Sequence, residues 1–147
     1  MKWTTKTQIP LWVNLMQAVL ILIMAVQVIE YFFDHDGLVA AGITVEGDGN
    51  LNLIYEMGSR LGVMVIISVF VMITQNPTQY VVVLIMNVFR EGGETIVDPL
   101  WPVADAQASQ LVDFLIHVVI VAIEIAALVT VWRIARRNDE VIEPVAA

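Results

Sequence analysis

Asp113 and His117 stand four residues apart, and Glu124 follows seven residues after His117. On a helix these spacings bring all three to one face. A carboxylate, an imidazole and a second carboxylate in a row can take up and pass on a proton, or hold a polar ligand. Other charged residues are also spaced to act together. Glu56 and Arg60 are four apart with the acid first, the favourable order for an ion pair on a helix. Arg90, Glu91 and Glu94 close one apolar run, and Glu30 closes another. His117 with Asp113, Glu56 or Glu94 has the donor chemistry for zinc, iron or manganese. There is, however, no Glu-x-x-His pair of the di-iron type, and the second histidine, His35, lies between Asp34 and Asp36. No metal is expected, His117 and Asp113 being the weak candidates. With no cysteine in the chain, thiolate nucleophiles, disulfides and iron–sulfur ligation are excluded. No nucleotide-binding or Ser/His/Asp arrangement is present, so no catalytic residue is assigned.

The elements that must position these groups are read from the composition. Of 147 residues, 59% are hydrophobic and only 15% charged, where a soluble domain carries about 25% charged residues. Disorder is excluded by the same figures. The apolar residues fall in continuous runs, which argues against a β-barrel. Spanning about 30 Å of hydrocarbon takes about 20 helical residues. The runs predict four helices, at about 10–33, 53–74, 78–94 and 107–133, in a single transmembrane domain covering 1–147. The third run is short before Arg90, and it spans only if it continues through Glu91 and Glu94. Pro10 suits a helix start, and Gln75-Asn76-Pro77-Thr78 suits a turn. The stretch 42–52 is rich in turn formers and is expected to make a short hairpin or an irregular cap. The segment from Gly92 to Pro102 is expected along the membrane surface, and 138–147 is expected to be a polar, mobile C-terminal tail. The first run is long for a signal peptide and no small-x-small cleavage site follows it.

Basic residues set the orientation. Lys2 and Lys6 precede the first helix, and Arg133, Arg136 and Arg137 follow the fourth. An even number of spans then puts both termini in the cytoplasm and two acidic loops outside, as expected for a bacterial inner-membrane protein. Trp3, Trp12 and Trp132 fall at the inner interface, with Tyr31 and Trp101 at the outer one. The net charge of −8 argues against nucleic acid as a partner. Antiparallel helices bring Glu30, Glu56, Arg60, Arg90, Glu91, Glu94, Asp113 and His117 to the outer face. Their simplest role is a buried charge network that fixes helix register. Glu124 falls near mid-membrane, with Gln17, Gln27 or Ser68 as expected hydrogen-bond partners. Gly58 and Gly62 form a GxxxG pattern, and Ala122 and Ala126 a similar stripe, both suited to close helix packing.

Three segments carry a family resemblance: Asp34-His35-Asp36-Gly37-Leu38 after the first helix, Tyr55…Gly58…Gly62 opening the second, and the Arg90 segment running to Asp98-Pro99. In these the chain resembles the DoxX-like group of small four-helix membrane proteins. The resemblance implies a four-helix all-α membrane bundle. Some members of that group are linked to quinone-coupled sulfur oxidation. That activity is not carried over, because this chain has no cysteine and no evident redox ligands. No cofactor is expected beyond a bound lipid or quinone. The functional expectation is a non-catalytic accessory subunit of a larger membrane complex, with other membrane subunits and lipids as partners. The alternative is a small proton-coupled transporter or ligand-binding membrane protein that uses the Asp113–His117–Glu124 face.

Overall fold

The computed structural model describes residues 9–100 and 110–142, apart from the side chains of 110, 113 and 139–142. Everything regular in that range is helical, and no strand occurs among the described residues. The helices are α1 (Leu11–Phe33), α2 (His35–Ala40), α3 (Asp48–Thr74), α4 (Pro77–Leu100) and α5 (Gln110–Ile142).

Local chemistry sets the boundaries. Pro10 precedes α1 with φ −55°, ψ 141°, an extended conformation that lets the helix begin at the next residue. Asp34 ends α1 and starts α2: its backbone N–H donates to the Glu30 carbonyl at 3.0 Å, and its Oδ1 accepts from the Gly37 N–H at 2.9 Å. Gly47 sits at φ 86°, a conformation that favours glycine, and α3 begins at the next residue. The expected hairpin at 42–52 therefore does not form, since 48–52 are already the first turns of α3. Between α3 and α4 the Asn76 carboxamide oxygen accepts from the N–H groups of Thr78 (3.0 Å) and Gln79 (3.4 Å), with Pro77 in the first helical position.

Two segments are more helical than expected. Helix α4 runs on past the expected end near residue 94 to Leu100. Helix α5 runs to Ile142, into the first half of the stretch read as a tail. Residues 143–147, the segment 101–109 with Trp101, and the first eight residues with Lys2, Trp3 and Lys6 lie outside the described residues.

Among the described residues three helical segments are long and apolar enough to cross a membrane: Leu11–Phe33, Asp48–Thr74 and Phe114–Asn138 within α5. Helix α4 is not one of them. At 24 residues its length of about 36 Å suffices, but Arg90, Glu91, Glu94 and Asp98 interrupt its second half. The helices pack as two close pairs, α1 with α3 and α4 with α5, joined by α3 against α4. Both pairs are antiparallel: Phe32 lies against Gly58 while Asn14 reaches Gln75, and Glu91 reaches His117 while Tyr80 packs in the cluster that holds Val131.

The apolar core gathers at the α3–α4 turn end, from Val13, Val71, Tyr80, Val83, Leu84, Ala127 and Val131. Outward faces are apolar too, with Leu11, Ile66 and Phe89 at 73%, 70% and 84% exposure. In water such a surface would aggregate. Against lipid tails it is solvated, and the polar residues turn inward.

A buried polar row along the helix interior

The inward-facing stripe of α4 reads Tyr80, Val83, Leu84, Asn87, Glu91, a helical spacing that carries three polar groups into the interior. Facing it across the seam with α5 is the stripe His117, Glu124, Ala127, Val131. The polar groups divide into three levels.

At the α2 end, Glu91 is the hub. Its side chain is 5% exposed. One of its carboxylate oxygens pairs with the Arg90 guanidinium and the other with His117 Nδ1 at 2.9 Å. Arg90 also reaches Glu94 at 3.2 Å, and His117 Nε2 lies 3.7 Å from Asp98. One cation thus holds two carboxylates, and one imidazole lies between two. Sequence reasoning placed Glu91 at the end of its run without giving it this role. The signal was available in the 80-84-87-91 stripe, but choosing it required the register of α4 on α5.

At the middle level, Asn87 Nδ2 donates to Gln17 Oε1 at 3.0 Å, tying α4 to α1. Gln17, Ser68 and Asn87 are all buried, and Ser68 and Asn87 line one gap between α3 and α4 with no room for a water molecule. Glu124 is completely buried, and neither carboxylate oxygen has a hydrogen-bond partner among the described residues. The charges that act on it across the seam are Arg90, Glu91 and Glu94. The expected bonds from Gln17, Gln27 or Ser68 are not made: Gln17 Nε2, Gln27 Oε1 and Ser68 Oγ are themselves buried without a partner.

At the α3–α4 turn, Asn14, Gln75 and Tyr80 form a closed knot. Asn14 Nδ2 donates to Gln75 Oε1 at 3.2 Å, and Gln75 Nε2 donates back to Asn14 Oδ1 at 3.0 Å. The Tyr80 hydroxyl donates to Asn14 Oδ1 at 2.8 Å. This knot was not anticipated from sequence. Gln75 reads locally as part of a turn and Asn14 as a residue of the first helix, and only the fold shows that they bond each other across 61 positions.

The remaining expected site residues lie apart from this row. Glu56 and Arg60 pair at 2.9 Å on the open face of α3, with side chains 49% and 76% exposed. Glu30 is exposed at the end of α1. The Asp113 side chain lies outside the described residues, although its backbone is in α5. Of the small-residue positions, Gly58 is buried, and a Cβ there would meet the Phe32 ring at 2.8 Å. A Cβ on Gly62 would meet nothing within 4 Å, and Ala122 and Ala126 are exposed.

No protein-family model, no curated protein and no solved structure matches the chain. The chemistry is therefore read from the atoms themselves. Glu91, Glu94 and His117 each bring one ligand atom within 4.8 Å of the others, close enough to hold a metal ion. The Arg90 guanidinium already pairs with both of those carboxylates. A metal ion would have to compete with that guanidinium, so the cluster reads as an ion-pair network in which one arginine serves two carboxylates.

Proposed function

We propose that this chain is a small proton-coupled membrane protein in which Glu124 binds and releases the proton. The observation that carries the reading is a completely buried carboxyl group, at mid-span, whose two oxygens have no hydrogen-bond donor among the described residues. A carboxylate ion is expensive in such a place, whereas a neutral carboxyl is tolerated. A group that is cheap to bury in one protonation state and costly in the other couples proton binding to conformation. Structural acids are normally paired, as Glu91 is with Arg90 and His117.

The reading includes a four-helix membrane bundle of the DoxX-like kind. In it α4 crosses beside α5 and α3, its charged turns turned toward the interior. Both termini lie in the cytoplasm, as the basic flanks Lys2, Lys6, Arg133, Arg136 and Arg137 favour. A bacterial inner membrane is the setting that this orientation fits.

The test is proton movement across vesicles that contain the purified chain and a trapped pH dye, driven by a potassium diffusion potential. The native chain is expected to move protons, and Glu124→Gln, which keeps the shape and removes the acid, to lower the rate at least tenfold. Equal rates for the two, or none for either, would overturn the proposal. Under the accessory-subunit expectation, Glu124→Gln would instead weaken attachment to unlike subunits and there would be no flux to lose.

A further inference from the structure

We infer that, in the conformation described above, Glu124 exchanges its proton with one side of the membrane, the side on which α2 lies, by way of His117 and Glu91, and that a proton crosses only when the seal on the opposite side opens. The Asn14–Gln75–Tyr80 knot closes the opposite side. The inference rests on the proposed role of Glu124 and adds a direction and a gate to it.

Groups that can carry a proton are distributed unevenly along the interior. From Glu124 toward the α2 end, His117 comes two helical turns away on the same face of α5, bonded to Glu91 of α4 and near Asp98. An imidazole can take a proton on one ring nitrogen and give one up from the other, and a carboxylate oxygen can accept it, so the bonded pair can pass a proton along. From Glu124 toward the α3–α4 turn, the buried side chains are Leu84, Ala127 and Val131, with Val13 and Val71 from the other helix pair. Beyond them lie two carboxamides and a phenol. Carboxamides do not titrate, and a phenol keeps its proton at neutral pH. Among the described residues, that half of the interior therefore contains no group that takes up or gives up a proton near neutral pH.

The knot also differs from the middle level in its bonding. Asn14 and Gln75 exchange two hydrogen bonds, and Tyr80 adds a third. Gln75 holds the left-handed backbone conformation that ends α3, at φ 53°. The middle level, in contrast, leaves Gln17 Nε2, Asn87 Oδ1 and both Glu124 oxygens without partners. A satisfied network resists rearrangement and an unsatisfied one invites it. The charged groups facing Glu124 are Arg90, Glu91 and Glu94 of α4, with His117 on its own helix. At this depth α1 and α3 contribute the neutral Gln17 and Ser68.

The experiment uses the full chain inserted in one orientation in vesicles, with the two aqueous sides buffered independently. Dicyclohexylcarbodiimide enters from the lipid and adds to protonated carboxyl groups, and peptide mass spectrometry reads the modification of Glu124. With no potential across the membrane, the labelling rate is expected to change about tenfold per pH unit on the α2 side above the midpoint of the titration, and to follow a pH jump on the other side at least tenfold more slowly. His117→Gln is expected to slow the response to an α2-side pH jump at least tenfold. Tyr80→Phe combined with Asn14→Leu is expected to make the rate follow both sides. Labelling of the native chain that follows the opposite side, or both sides equally, would overturn the direction. A double variant that stays one-sided would overturn the gate. Labelling of Glu124 that ignores pH on both sides would instead strike the proposed function itself, so the two failures are distinguishable.

Discussion

Glu91 and Glu56 are both acids that pair with an arginine, but the surroundings of the two pairs predict opposite consequences of losing them. Glu91 is buried between Arg90 and His117, whereas the Glu56–Arg60 pair stands in the open on α3. Removing Glu91 takes away the more buried of the two carboxylates on Arg90 and leaves Glu94, at a cost of up to about 3 kcal/mol. Removing an exposed one costs about 1 kcal/mol or less. Glu91→Ala is therefore expected to lower the thermal midpoint in detergent sharply, and Glu56→Ala hardly at all. Equal shifts would contradict the assigned burial. The two glycines of the GxxxG pattern divide in the same way. Gly58→Ala places a methyl group 2.8 Å from the Phe32 ring and is expected to cost about 1–3 kcal/mol. Gly62→Ala, with nothing within 4 Å of its Cβ, is expected to be neutral or slightly stabilising. At this scale the sequence displayed the His117–Glu124 face, because that face follows from spacing on one helix. Glu91 as hub and the Asn14–Gln75 exchange were hidden, because each depends on how two helices are set against each other.

Helix α2 depends on one side chain. Asp34 Oδ1 accepts from the Gly37 N–H, and among the described residues no other side chain caps that helix. Asp34→Ala is expected to remove about 1 kcal/mol of local stability. Hydrogen exchange should speed up at Gly37 and Leu38 while the middle of α1 and α3 stays protected; loss of protection along α1 would contradict a purely local cap. The long helices were legible because their apolar runs are continuous and Asn76-Pro77 is a strong punctuation mark. The boundaries were less so. The third run was expected to end near residue 94, yet α4 continues to Leu100, its buried stripe running from Asn87 to Glu91 and packed against α5. Residues 48–52 read as turn, yet they extend α3, since Gly42 and Gly47, both at positive φ, redirect the chain before them.

For the whole molecule, membrane character follows from composition, and the structure adds what lies inside. Three apolar segments qualify as spans by length and hydropathy, while α4 carries its charged groups on the seam with α5. Native mass in a mild detergent is expected to give the chain alone or a homo-oligomer. A stoichiometric complex with unlike subunits would favour the accessory role instead. The central claim concerns a single proton on a single buried carboxyl, and infrared difference spectroscopy of the full chain in lipid observes that proton directly. Cycling the pH is expected to produce and remove a carboxylic C=O band in the native chain, and Glu124→Gln is expected to abolish that band while the amide bands stay unchanged. A native spectrum with no titrating carboxyl band, or one that survives Glu124→Gln, would contradict the claim.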